Sequence, residues 1–303
     1  MNHLIVEFKN YLIKQEMSIN TIRNYLADIV NFSKWYKIYY SDQVIADEIT
    51  SYHLQSFKSH SVNTKRLKTS SINRRIQSLK RFFQFLSNKK TIKKDPTLKT
   101  KFIRRTKSAK PNALNKSEVH ALLSIAGRSS HGTHKRNYAI IQLILQTGLR
   151  VSEVINLQWQ DIVLGERSGQ VRVVDGKGHK ERIIPLNSSA RKAVSSYLEF
   201  REDLKETSPI FLSKRNQVPT ARAIQKIIVS LANKANINRI KVTPHTLRHT
   251  FATNYLRTNP GCLVELSNLL GHESLDTTAI YTKSSQEHLA GTLEKSQFIH
   301  DGL

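Results

Sequence analysis

Arg150, Lys177, His245, Arg248, His272 and Tyr281 are spread over the C-terminal half of this 303-residue chain, each in a segment whose local chemistry suits it to a phosphate. Two arginines can grip phosphate oxygens through planar forks that stay charged at any working pH. A lysine and two histidines can hold and move protons around the phosphorus. A tyrosine hydroxyl beside them can attack it. A free phenol, with a pKa of about 10, is only ~0.1% ionised at neutral pH, so the attack depends on nearby cations and a proton acceptor. The set describes strand transfer at a phosphodiester through a covalent phosphotyrosine, with no metal and no other cofactor.

Local sequence supports each member. Arg150 follows Gly148 in TGLRVSEVINL, at a break between helices from which a long side chain can reach into a cleft, and Glu153 can buttress a guanidinium or histidine from behind. Lys177 sits between Gly176 and Gly178 in QVRVVDGKGHKERIIPL (170–186), where two β-branched runs flanking a Gly-Lys-Gly turn predict a hairpin. Lys180 is its nearest competitor. In TPHTLRHTFAT (243–253), Thr243 reads as an N-cap and Pro244 as the first helical residue. His245 and Arg248, three apart, then share one face at the positive end of a helix. His249 falls on another face and reads as packing or as support behind the site residues. His272 follows Leu270-Gly271 at a helix end, and Tyr281 comes nine residues later.

The elements that must position these groups are mostly helical. Apolar residues at helical spacing predict four helices in the first ninety residues: one with Leu4, Phe8, Tyr11 and Leu12; one after the N-cap Ser18; one near Tyr52 to His60; and one from Ser70 or Ser71. Their aromatic stripes read as core, which leaves Asn20, Arg23, Lys65, Arg66, Lys68, Asn73, Arg74 and Arg75 as the DNA-facing candidates. Residues 89–110 hold ten basic residues, one acid and one proline, and read as a strap along a phosphate backbone. A second domain opens at Leu114, where Asn115 and Glu118 form a capping-box pattern. Further helices are predicted over 138–146, from Ser152 to near Trp159, and over 188–204, 220–235, 244–257, 262–270 and 286–297. The expected organisation is a helical DNA-binding domain (1–95), a basic linker (96–113), and a mixed α/β catalytic domain (114–303) with a C-terminal interaction helix. The fold class is mainly α with a small β-sheet.

Charge points to the partner. The formal net charge is +25, and it is uneven: residues 1–113 carry 23 Lys+Arg against 7 Asp+Glu, a net of +16, while residues 114–303 carry 25 against 16, a net of +9. A strongly basic first half suggests a clamp on a polyanion, with binding that weakens steeply in salt. Cys262 is the single cysteine, so an internal disulfide is excluded and a reducing, cytoplasmic compartment is expected. No apolar run approaches the roughly 20 residues of a membrane span. Walker A, HExxH and zinc-ribbon patterns are absent.

TGLRVSE, GKGHKERIIPL, HTLRHTFAT, LGHESLDTTAIY and the Ser18-Ile19-Asn20-Thr21 start of a helical N-terminal segment together resemble the tyrosine recombinases, over nearly the whole chain. That group includes the phage integrases and the bacterial and archaeal Xer proteins. The resemblance implies Arg150, Lys177, His245, Arg248, His272 and Tyr281 as the catalytic set, with no position substituted. It also implies a SAM-like core-binding domain and a catalytic domain forming a clamp around double-stranded DNA. Assembly would be a dimer on one site and a tetramer in the synapse, alone or with a second recombinase. The helical pattern begins within the first few residues, which favours the Xer-like layout over integrases with an extra N-terminal domain. Two other readings are DNA relaxation of the type IB topoisomerase kind and a non-catalytic DNA-binding regulator. The regulator would have no use for Tyr281 beside five cationic partners.

Overall fold

Helical periodicity in the first ninety residues gives four α-helices in a computed structural model that describes residues 1–104, 113–129, 131–174, 181–202, 204–271 and 278. The chain divides into two compact units, Met1–Ala109 and Lys110–Leu303. In the first, α1 (Asn2–Lys14), α2 (Ile19–Tyr39), α3 (Ser51–Asn63) and α4 (Thr69–Asn88) follow the expected order. The Ser18 side chain accepts from the Thr21 amide at 3.2 Å, the cap read from sequence. Phe8, Phe32, Phe82 and Phe83 are fully buried, so the aromatic stripes do form the core.

Asp28 is a charged residue within that core. It is buried, accepting from Arg74 Nη1 at 2.6 Å and Ser78 Oγ at 2.8 Å, with Arg75 Nε at 3.9 Å. Burial pushes its carboxyl above the ordinary aspartate range, against the pull of Ser78, Arg74 and Arg75. Residues 89–104 of the basic segment after α4 are packed on this unit. Ile92, Thr97 and Thr100 are buried. The Asn73 amide pairs with both backbone groups of Ile103, at 2.8 and 2.9 Å. Lys58 Nζ donates to the Lys101 carbonyl at 2.8 Å.

The second unit begins with α5 (Lys116–Gly127), whose capping box is formed as read: the Asn115 side chain accepts from the Glu118 amide, and Glu118 Oε2 from the Asn115 amide, both at 2.8 Å. Next come α6 (Gly132–Thr147) and the short α7 (Val151–Asn156). α6 starts six residues before its apolar stretch, because a polar first turn, GTHKRN, extends it toward the surface. Ile140, Ile141, Leu143 and Ile144 are all buried, so α6 is the axis of the core, with α5, α8 (Ser188–Leu198) and α10 (Pro244–Thr258) against it. α8 ends six residues short of the expected helix, and α9 (Ala221–Lys234) and α11 (Leu263–Leu270) complete the described helices.

Three antiparallel strands, β1 (Ile162–Leu164), β2 (Gly169–Val174) and β3 (Glu181–Pro185), form one sheet in the order β1-β2-β3. The predicted hairpin is β2–β3, with Val171 opposite Ile184 and Val173 opposite Arg182. β1 was missed, being only three residues long before a turn.

Gly148 ends α6 at φ +69°, and a Cβ there would collide with Phe251 and lie 2.7 Å from Leu270 Cδ2. We expect Gly148→Ala to lose about 1–2 kcal/mol from the left-handed backbone and about 1–3 kcal/mol from overpacking, read as a lower denaturation midpoint. Loss below ~0.5 kcal/mol would show that the turn relaxes freely.

Candidate active site

α11 closes on Gly271, at φ +62°, so its last carbonyls lack helical partners. Three successive ones are taken by three different arginines. Leu269 O accepts from Arg182 Nε at 3.0 Å, Leu270 O from Arg248 Nη2 at 2.8 Å, and Gly271 O from Arg150 Nη2 at 3.0 Å. The negative end of the helix dipole suits this clustering of cations. Arg248 also donates to the Gly148 carbonyl at 2.6 Å, the last of α6, so the ends of two helices hold one guanidinium.

Each arginine arrives from a different element. Arg150 caps α7 in an extended conformation, directly after the left-handed turn at Gly148. Arg248 is buried in the second turn of α10, where Thr243 caps the helix and Pro244 opens it. Arg182 is the second residue of β3. Its register opposite Val173, two residues before the buried Ile184, turns it to the inner face of the sheet.

Glu153 ties two of them together. Its Oε1 accepts from Arg150 Nη1 at 2.7 Å, and its Oε2 accepts from the Arg150 amide at 2.7 Å and from Arg182 Nη2 at 2.8 Å. Arg150 remains about two-fifths exposed, whereas Glu153 and Arg182 are largely covered. Two of the five N–H groups of Arg150 are engaged by described residues, leaving its outer edge available to an anion. His245 is exposed at the second position of α10, one turn before Arg248. Lys177, its neighbour Lys180, His272, Tyr281 and the predicted helix over 286–297 lie outside the described residues. Thr278, three residues before Tyr281, is fully buried.

Residues 112–288 match the phage integrase family, and residues 5–90 match the phage integrase N-terminal SAM-like domain. The chain belongs to the phage integrase family. It is 34% identical over 296 residues to tyrosine recombinase XerD of Staphylococcus epidermidis (strain RP62A), covering 95% of this chain and 96% of that one. It is 30% identical over 292 residues to the TnP I resolvase of Bacillus thuringiensis, covering 95% and 98%. Among solved structures, the XerA recombinase matches at 30% identity with a TM-score of 0.53, over 97% of this chain and 98% of that one. XerH bound to a palindromic difH substrate shares the fold with a TM-score of 0.74 at 22% identity, over 92% and 81%. The chain is a tyrosine recombinase, an enzyme of site-specific DNA recombination that cuts and rejoins DNA strands.

Within this phage integrase fold the DNA-facing candidates of the first unit divide into two groups. Asn20, Arg23, Lys65, Arg66 and Lys68 are exposed, with Arg66 at φ +45° in the turn before α4. Asn73, Arg74 and Arg75 are engaged inside the unit, Asn73 with Ile103 and the arginines with Asp28. Among the described residues no helix is long and apolar enough to cross a membrane.

Arg182 is the site residue that sequence reading missed. Its signal was a charged residue at an inward position of a strand that otherwise buries Ile184. His249, read from sequence as packing or as support behind the site residues, is half-buried. Burial first, and then the charge of His245, hold it below the usual imidazole range.

Burial alone would raise the Glu153 carboxyl, but the Arg150 amide, the charge and hydrogen bond of Arg182 and the hydrogen bond of Arg150 bring it below the ordinary glutamate value. A carboxylate depressed in the folded state contributes stability that is present above its unfolded pKa and lost as pH falls through the folded one. Glu153→Gln should therefore destabilise the protein at pH 7, by about 3 kcal/mol, because two guanidiniums lose their shared anion. It should also flatten the decline in stability below about pH 4.3. Denaturant titrations of both proteins across that range check it; parallel curves would remove Glu153 from the acid response.

Proposed function

We propose that Tyr281 is the nucleophile and that Arg150 and Arg248 carry the negative charge that builds on the scissile phosphate. The observation supporting this reading is that both guanidiniums are held on adjacent carbonyls of one helix end, and the segment bearing His272 and Tyr281 leaves that same end. Guanidiniums fixed before the substrate arrives need not reorganise as charge develops.

In this mechanism the phenolic oxygen of Tyr281 bonds to phosphorus and gives up its proton with the help of His245. The bond from phosphorus to the 5′-oxygen breaks, and Lys177 protonates that oxygen. The products are a 3′-phosphotyrosyl link and a free 5′-hydroxyl. His272 hydrogen-bonds the phosphate and helps to place Tyr281. A 5′-hydroxyl from a partner strand then attacks the phosphotyrosine, restores the phenol and forms a Holliday junction, which the second strand pair resolves by the same chemistry. The ester bond is conserved throughout, so no ATP is consumed.

The working assembly is a dimer on each site and a tetramer in the synapse, with residues 286–297 as the contact between protomers, acting in the cytoplasm alone or with a second recombinase. Domain roles follow the sequence division: DNA binding by 1–95, a phosphate-tracking strap over 96–113, and catalysis by 114–303. The relative named resolvase supports resolution of mobile-element or replicon dimers, ahead of integration, as the biological outcome.

A suicide substrate nicked beside the cleavage point tests the chemistry. Tyr281→Phe should bind the site normally and form no covalent complex, and covalent product from this variant would assign the nucleophile elsewhere. Lys177→Ala should cleave about 10²-fold more slowly. A bridging 5′-phosphorothiolate, whose leaving group needs little protonation, should restore most of that rate. If Lys180→Ala shows the rescue instead, Lys180 is the acid.

A further inference from the structure

Arg182 directs its polar contacts to other parts of the protein. Nη2 donates to Glu153 at 2.8 Å and Nε donates to the Leu269 carbonyl at 3.0 Å, and the side chain is 13% exposed. It lies so close to the end of α11 that a Cβ on residue 271 would be 2.7 Å from its Nη1 and 2.9 Å from its Cζ. Gly271 is thus required twice, by its left-handed backbone and by the guanidinium beside it.

The charge pattern shows what this contact does. Arg150 and Glu153 alone would make a neutral pair, and a guanidinium whose charge is matched by a carboxylate at 2.7 Å is a poorer partner for a phosphate. Arg182 shares the same carboxylate, so the group of Arg150, Glu153 and Arg182 keeps a net charge of one positive unit. It also joins three elements: β3, the first turn of α7 through Glu153, and the C-terminal end of α11 through Leu269. A lysine would keep the charge, but its single ammonium would have to serve two acceptors that the guanidinium reaches through separate nitrogens.

We propose that Arg182 is a positioning residue of the strand-transfer site. It draws Glu153 partly away from Arg150, leaving Arg150 electropositive toward the scissile phosphate, and locks the α11 carbonyls on which Arg150 and Arg248 rest. This rests on the reading of Arg150 and Arg248 as the phosphate clamp.

The test compares two suicide substrates, one with an ordinary scissile phosphate and one with a methylphosphonate in which a methyl group replaces a non-bridging oxygen. The bonds made and broken are the same, from Tyr281 oxygen to phosphorus and from phosphorus to the 5′-oxygen. The methylphosphonate carries no formal charge and so needs less help from cations. On the ordinary phosphate, Arg182→Gln should cleave about 10- to 10²-fold more slowly than the parent, with site affinity within about twofold. On the methylphosphonate the gap should shrink to about threefold or less. Equal deficits on both substrates would mean that Arg182 is only structural, and this overturns the proposal. If Arg182→Gln does not fold, Arg182→Lys carries the same comparison: a deficit confined to the charged substrate supports the role, and an equal deficit or none overturns it. Arg150→Ala is run alongside. If its deficit shrinks and that of Arg182→Gln does not, the inference alone fails. If neither shrinks, the phosphate-clamp reading fails and takes the inference with it.

Discussion

The site depends on one constraint: a helix end buried in protein cannot leave its last carbonyls without donors. α11 meets it with guanidiniums. Three successive carbonyls take Arg182, Arg248 and Arg150, which come from a strand and two other helices. The same hydrogen bonds that satisfy the helix fix the cations. A cluster of like charges that would repel in isolation is held by helix-end carbonyls and a single carboxylate, Glu153.

Much of the second unit can be read as support for that arrangement. The left-handed turn at Gly148 places Arg150 at the head of α7 and offers its own carbonyl to Arg248. α6, buried throughout residues 139–145, fixes where that turn lies. The hairpin register turns Arg182 inward, and α10 brings Arg248 into the core while leaving His245 at the surface. In the first unit the chemistry is different. There a buried Asp28 holds Arg74 and Arg75, and Asn73 stitches the basic segment to α4, so that basic residues are ordered before any polyanion arrives.

Sequence carried the parts of this that depend on local patterns. Ser18, Asn115, Thr243 and Gly148 act as the helix caps and stop that their types suggest, because capping involves only three or four neighbouring residues. The hairpin was visible from its β-branched runs, and the aromatic stripes of the first unit were legible as core. The contacts among Arg150, Glu153, Arg182, Arg248 and the end of α11 join residues up to 121 positions apart, and no period in the sequence reports them. Glu153 was read as a brace for a guanidinium or histidine, but its pairing with two guanidiniums was not read. β1 was also hard to read, since three residues carry too little periodicity to stand out, and α7, read from Ser152, ends at Asn156 rather than near Trp159.

The most direct measurement is a pair of crystal structures, of the free protein and of the protein on its uncleaved recombination site. If the helix end preorganises the arginines, Arg150 and Arg248 will keep their hydrogen bonds to Gly271, Leu270 and Gly148 in both, and the phosphate will meet nitrogen edges already in place. Guanidiniums that leave those carbonyls and swing several ångströms to reach the phosphate would contradict the account.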